Sequence, residues 1–199
     1  MSNQTEKTRR LAVNGLLSAV ICIISFLPIR TLGLEITLSM VPVAIGACLY
    51  GPASGAVLGG VFGIVSLVQC FGYSPFGAAL LGMNFVYTAI ICIPTRILAG
   101  WLSGLAAKGI GKVLRDKTRL VSMAVGSILA PVLNTLFFMS ALCVFFYGSE
   151  YIQGFAQTLG STSVVSFVFL FVGINGLVEI VAGFLLALPV SKALSKALK

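Results

Sequence analysis

The sequence predicts an all-α integral membrane protein with six transmembrane helices in one bundle. Of its 199 residues, 58% are hydrophobic and only 9% are charged, whereas a soluble domain carries about 25% charged residues. Apolar runs close to the roughly 20 residues that cross a bilayer recur along the whole chain. We therefore expect residues 1–199 to form a single transmembrane domain.

The apolar runs give the predicted helices in order. They cover about residues 11–27, 38–50, 53–70, 79–107, 120–147 and 163–189. Gly51 and Pro52 form the turn between the second and third helices, with Pro52 near the first helical position, where its missing N–H costs least. Gly55, Gly59 and Gly63 share one face of the third helix and predict a close helix contact there.

The positions of the basic residues predict the topology. Loops on the cytoplasmic side of a membrane are enriched in lysine and arginine. Six spans and a cytoplasmic N-terminus place most of the 13 basic residues on the cytoplasmic side. If the second and third helices were one span, the basic cluster at 108–119 and the C-terminus would lie on opposite sides of the membrane. Both termini are therefore predicted to be cytoplasmic. The inner residues are Lys7, Arg9, Arg10, Lys108, Lys112, Arg115, Lys117, Arg119, Lys192, Lys196 and Lys199.

The three predicted outer segments are residues 28–35, 71–77 and 148–162. They are richer in turn-forming and polar residues than the helices. Such segments either cover an outward-facing pocket or simply connect helices, and composition does not choose between the two.

Several function classes are excluded. The chain has no histidine, and its five cysteines occur singly in apolar runs, so we expect no metal site, no cofactor and no nucleophilic catalysis. The segment from Gly109 to Lys112 lacks the other residues of a phosphate-binding loop, so the chain holds no ATPase. Basic residues flank the apolar runs instead of forming one face, which argues against nucleic acid as a partner.

Two charged residues fall within predicted helices, where charge is costly and marks function or pairing. Arg96 and Glu179 lie at similar distances from the inner ends of the fourth and sixth helices, so they could form a buried ion pair. Alternatively, the Arg96 guanidinium anchors the carboxylate of an anionic ligand. Nearby, Pro94 frees the Ile90 carbonyl, which is tolerable beside a polar cavity.

Polar uncharged residues on consecutive helices predict a ligand pocket. Asn84, Asn134 and Asn175 come from the fourth, fifth and sixth helices, and Thr135 lies beside Asn134. One such asparagine could simply join two helices. Three of them suit a hydrogen-bonding site for a small polar molecule, and Tyr87 could add aromatic surface.

The sequence also resembles a known family. Residues 36–47 (ITLSMVPVAIGA) and 50–59 (YGPASGAVLG) are similar to the signature of the substrate-binding S components of energy-coupling factor (ECF) transporters. Pro94-Thr95-Arg96, Asn134-Thr135 and the Asn175–Glu179 segment resemble later motifs of that family. The similarity covers about residues 10–195 and is closest to the pantothenate-type branch.

The resemblance implies a function and partners. Such a subunit binds a vitamin in the cell membrane of a prokaryote and works with a transmembrane coupling subunit and two cytoplasmic ATPases. Gly15 and Ala19 match the small residues that dock the coupling subunit. Pantothenate is the expected substrate, with riboflavin, folate or thiamine as alternatives. A stand-alone secondary transporter would have to rely on Glu179 alone for ion coupling.

Overall fold

The protein is built almost entirely from helices. The computed structural model describes residues 3–27, 30–31, 34–35, 38–114 and 119–197. A two-residue β ladder, β1 (Arg30–Thr31) with β2 (Leu34–Glu35), follows the first helix. The helices are α1 (Asn3–Ser25), α2 (Met40–Tyr50), α3 (Pro52–Gln69), α4 (Pro75–Met83), α5 (Phe85–Cys92), α6 (Pro94–Val113), α7 (Leu120–Phe146), α8 (Glu150–Thr158), α9 (Val164–Ala182) and α10 (Leu188–Ala197).

Several helices are long enough to cross a membrane. Among the described residues there are five such stretches, Gln4–Ser25, Pro52–Gln69, Phe85–Val113, Leu120–Phe146 and Gly176–Ser195. Helix α2 has 11 residues, which at 1.5 Å per residue is about 16 Å, shorter than a bilayer core. The all-helical membrane class is confirmed, while six spans and cytoplasmic termini stay predictions.

The prediction of one continuous fourth helix over residues 79–107 is wrong. The chain forms α4, α5 and α6 in its place, because two residues interrupt the helical ladder. Asn84 is extended, and its side-chain oxygen accepts a hydrogen bond from the Tyr87 N–H at 3.1 Å, which starts α5 anew. Pro94 has no N–H with which to continue α5, so α6 begins there.

The sixth helix and the third outer segment also differ from the prediction. The predicted helix over residues 163–189 is broken at Gly173, whose φ of 26° and ψ of −121° are not helical. Glycine accepts a positive φ because it has no Cβ. The chain then continues through a π-helical turn, Gly183–Ala187, into α10. The predicted loop 148–162 contains α8, which the Ser149 side chain caps.

The glycine face of α3 packs directly on α6, as the sequence predicts. A Cβ added to Gly59 would overlap the backbone carbonyl oxygen of Arg96, and one added to Gly63 would lie 2.8 Å from that of Cys92. Only glycine lets two backbones approach so closely. Gly51, with a φ of 81°, makes the predicted turn into α3. This contact brings the α5–α6 break against the centre of α3.

Two apolar clusters fill the bundle. The first joins α1, α2, α3, α6, α7 and the π-helical turn, and it includes Leu17, Ile21 and Phe62. The second joins α4, α5, α7, α8 and α9 and is rich in phenylalanine, with Phe76 and Phe171 among its members. The candidate site described next lies against this second cluster.

Candidate functional site

A cavity of about 140 Å³ lies among α3, α4, α5, α6, α7 and α9. Its walls combine aromatic and polar side chains. The aromatic ones are Phe76, Phe138 and Phe171. The polar ones are Ser66, Gln69, Ser74, Thr88, Arg96, Asn134, Thr135 and Glu179.

Arg96 is the buried cation of this cavity. Its side chain is only 6% exposed. Its Nη1 donates hydrogen bonds to the backbone oxygens of Ile91 and Cys92, each at 3.0 Å. The guanidinium carbon lies 4.7 Å from the centre of the Phe62 ring and 5.5 Å from that of Phe138. Contacts of this kind with aromatic faces favour a cation.

The break at Pro94 explains how a charge is held here. A helix that ends leaves its last carbonyls without intrahelical donors, and these carbonyls carry partial negative charge. At the end of α5 the Thr95 hydroxyl donates to the Ile91 oxygen, and the Arg96 side chain supplies further donors. The Arg96 Nε is buried and has no hydrogen-bond partner among the described residues. Part of the guanidinium therefore has hydrogen-bonding capacity to spare.

The predicted polar ligands separate into two groups. Asn134 and Thr135 line the cavity, and the buried side-chain oxygen of Asn134 has no partner in the described part of the chain. Asn84 instead caps α5, and Tyr87 is 40% exposed and stacks on Phe145 with 4.7 Å between ring centres. Neither Asn84 nor Tyr87 is among the lining residues. The side chain of Asn175 lies outside the described residues.

Glu179 lines the same cavity as Arg96. The break at Gly173 leaves Glu179 on the long helical stretch that follows it. The carboxylate is near enough to interact electrostatically with the Arg96 guanidinium. The similar depths inferred from the sequence thus correspond to a shared location in the fold.

Two cysteines in the cavity wall were not predicted as site residues. The Sγ atoms of Cys70 and Cys92 are 3.9 Å apart, and both side chains are buried. They come from the ends of α3 and α5. Because they are separated by 22 positions on different helices, their spacing gives no sequence signal.

The predicted docking residues lie on α1, which does not line the cavity. Gly15 and Ala19 are both exposed on α1. A Cβ added to Gly15 would have no heavy atom within 4 Å. Only 11% of the apolar stretch of α1 is buried, compared with 44% for α3.

Comparisons with known proteins agree with this architecture. A family model described as "ECF transporter, substrate-specific component" matches residues 9–191. Among solved structures, the chain is similar to the S-component for biotin from an ECF-type ABC transporter, with a TM-score of 0.59 and 18% identity over 98% of this chain and 95% of that one. This likeness shows the fold. The comparison with curated proteins gave no match.

Proposed function

Because the chain belongs to the family of substrate-specific components of ECF transporters, we propose that it captures a vitamin that carries a carboxylate. Pantothenate is the specific substrate that we propose. It combines a carboxylate with an amide and hydroxyl groups. The chain would bind it and leave ATP hydrolysis to partner subunits.

The single observation that supports this ligand class is the buried Arg96 guanidinium in the wall of a cavity. A buried cation that retains hydrogen-bonding capacity favours an anionic ligand, and a planar guanidinium suits a carboxylate. Asn134 and Thr135 offer uncharged donors and acceptors for an amide and hydroxyls. The phenylalanines would cover the aliphatic part of the ligand.

The name of the similar structure introduces a second vitamin, because biotin also carries a carboxylate. At 18% identity, that likeness supports the fold and leaves the ligand open. We base the proposed ligand on Arg96, Asn134 and Thr135 of this chain. Biotin is therefore the most informative comparison ligand for the experiment below.

We propose that the cavity widens when the vitamin binds. Its volume of about 140 Å³ lies below the roughly 300–1,000 Å³ of ordinary ligand pockets. Phe76 packs on Phe171 of α9 and on Tyr151 and Phe155 of α8, with ring centres 5.5–6.1 Å apart. A shift of α8 together with Phe76 would enlarge the cavity from this side.

The partners follow from the family. We propose that Gly15 and Ala19 dock the transmembrane coupling subunit, since α1 presents them on an exposed face. Two cytoplasmic ATPases would complete the transporter. On the proposed topology, the whole chain forms one six-span domain in the cell membrane, with both termini in the cytoplasm.

A thermal-stability screen of the purified chain against water-soluble vitamins tests the substrate. A ligand that binds only the folded state raises the free energy of unfolding in step with its concentration over Kd. We expect pantothenate to give the largest shift among pantothenate, biotin, riboflavin, folate and thiamine. A shift with another vitamin and none with pantothenate would refute the substrate, and transport by the isolated chain in liposomes would favour a secondary transporter.

The cysteines locate the binding site without a mutation. Cys70 and Cys92 line the cavity, whereas Cys22 and Cys143 lie outside its lining. Bound pantothenate should slow alkylation of Cys70 and Cys92 by a small neutral thiol reagent, because reactivity depends on access to the sulfur. Labelling of Cys22 and Cys143 should not change. Equal protection of all four thiols, or of none, would argue against this cavity.

A further inference from the structure

A second cavity opens at the end of the bundle that carries Lys7, Lys108 and Lys112, which we call the basic end. Its volume is about 630 Å³. Its walls are formed by the start of α1, the end of α2, the turn at Gly51 and Pro52, the last turns of α6 and the start of α7. It shares no lining residue with the Arg96 cavity.

The charge of this cavity is strongly positive. Five basic side chains line it, together with the single carboxylate of Glu6. Lys7, Lys108, Lys112 and Arg119 are exposed. Arg10 is held in place because its Nε donates a hydrogen bond to the Ser54 hydroxyl at 3.0 Å. A concave surface with one sign of charge concentrates ligands of the opposite sign.

Tyr50 supplies a hydrogen-bond donor to the same cavity. Its side chain lines the wall, and its hydroxyl oxygen is buried without a hydrogen-bond partner among the described residues. Buried polar atoms in proteins are nearly always paired, so such an atom indicates a missing partner. A phosphate oxygen would accept its hydrogen bond.

Exposed apolar residues next in sequence to the cavity lining favour a lipid as the source of that phosphate. Val113 is 81% exposed and Leu114 is 60% exposed at the end of α6, and Leu120 and Val121 are exposed at the start of α7. The cations therefore lie where apolar helix surface ends. Basic pockets at this level of a membrane protein suit anionic lipid headgroups.

We propose that the cavity at the basic end binds a phosphate group, and that an anionic membrane phospholipid provides it. Lys7, Lys108, Lys112 and Arg119 attract the headgroup, and the Tyr50 hydroxyl donates to a phosphate oxygen. The acyl chains lie along the exposed apolar residues at the end of α6 and the start of α7. The simpler alternative is that these residues only set the topology of the chain, in which case they would show no preference among lipids.

The test measures lipid binding to the full chain. Purified protein is reconstituted in vesicles of phosphatidylcholine with one quarter phosphatidylglycerol, and the lipids retained after mild detergent extraction are counted by native mass spectrometry. We expect the ratio of phosphatidylglycerol to phosphatidylcholine among the retained lipids to exceed the ratio in the vesicle at least about tenfold, because charge pairing at the membrane surface favours anionic lipids. Retention in simple proportion to vesicle composition would overturn the proposal.

Variants separate this cavity from general surface charge. The double variant Lys108→Ala/Lys112→Ala should lose most of the enrichment. Lys192→Ala removes a cation that lies outside the cavity lining and should keep the enrichment. Tyr50→Phe keeps every charge, and therefore the topology, and should lower the enrichment about threefold through the lost hydrogen bond. Equal losses in the Lys192 and Lys108/Lys112 variants, or no loss with Tyr50→Phe, would contradict the assigned site.

Inorganic phosphate distinguishes the two sources of the ligand. With a lipid in the cavity, millimolar phosphate should neither stabilise the lipid-depleted chain nor displace phosphatidylglycerol. Stabilisation of the wild type by phosphate, lost in the double variant, would overturn the lipid and assign the cavity to a soluble phosphate compound.

Discussion

The α3–α6 contact and the outward face of α1 contain the same kind of small residues in opposite surroundings. On α3, a Cβ added to Gly59 would overlap backbone atoms of α6. On α1, a Cβ added to Gly15 would meet nothing within 4 Å. The first glycine serves a contact that already exists, and the second leaves an open surface.

The two regions are also held by different forces. The α3–α6 contact relies on close packing of backbone against backbone. Helix α1 is held by Leu17 and Ile21, which pack in the first apolar cluster, and by hydrogen bonds from Arg10 and Asn14 to Ser54 and from Gln69 to the Ser25 oxygen. The face of α1 that carries Gly15 and Ala19 stays exposed. A binding subunit that assembles with a partner needs a rigid core and also an exposed surface that the partner can contact.

The largest effect should come from filling the α3–α6 contact. Gly59→Ala places a methyl group against the Arg96 carbonyl, so it should lower the free energy of unfolding by about 3 kcal/mol, as overpacking does. Gly60→Ala is the matched control, because its nearest neighbour is Ile97 Cγ1 at 3.6 Å, an ordinary contact. Thermal unfolding in detergent measures both variants. Equal stability of the two would show that the contact is looser than described.

A smaller and different effect should come from filling the α1 face. Gly15→Leu should leave folding and vitamin binding unchanged, because Gly15 is exposed and a Cβ there would have no heavy atom within 4 Å. Co-purification with the coupling subunit, and uptake by the whole transporter, should fall at least about tenfold, as for a residue at the centre of an interface. Gly82→Leu, at another glycine with open surroundings, is the control. Normal uptake with Gly15→Leu would place the docking surface elsewhere.

The smallest effect should come from loosening α1. Ser54 is fully buried, and its hydroxyl accepts hydrogen bonds from Arg10 and Asn14 at 3.0 and 3.1 Å. Ser54→Ala should cost about 1 kcal/mol or less, as interhelical hydrogen bonds in membranes do. Ser191→Ala removes an equally buried hydroxyl that has no partner among the described residues, and should cost nothing. If Ser54→Ala lowered the free energy of unfolding by more than Gly59→Ala does, the hydrogen bonds of α1 would stabilise the bundle more than the α3–α6 contact, which would contradict the comparison.

Helix existence and packing could be read from the sequence, but helix continuity could not. The apolar runs and the repeated glycines of α3 depend on local composition and spacing, which a sequence displays. The breaks at Asn84 and Gly173 depend on backbone conformations that only the folded surroundings stabilise. Asparagine and glycine also occur within uninterrupted membrane helices, so neither residue type in a sequence predicts a break.

The site could be predicted in part for the same reason. Polar side chains such as Arg96 and Asn134 are costly at membrane depth, so their presence within apolar runs of the sequence indicates candidate site residues. Cys70, Cys92 and Phe76 are ordinary apolar residues, and only the fold brings them to the cavity wall. Asn84 is polar at membrane depth as well, but it serves the backbone as a helix cap, a role that composition does not distinguish from ligand binding.

The central claim is that Arg96 recognises the carboxylate of a bound vitamin, and two ligands test it most directly. Isothermal titration of the purified chain compares pantothenate with its alcohol analogue, in which CH2OH replaces the carboxylate. In the wild type, pantothenate should bind at least about 30-fold more tightly, because its carboxylate accepts charge-assisted hydrogen bonds from the guanidinium that are stronger than those of the alcohol. In Arg96→Gln the two should bind almost equally. Equal binding of both ligands to the wild type would contradict the account and would leave Arg96 as a structural partner of Glu179 and the α5 carbonyls.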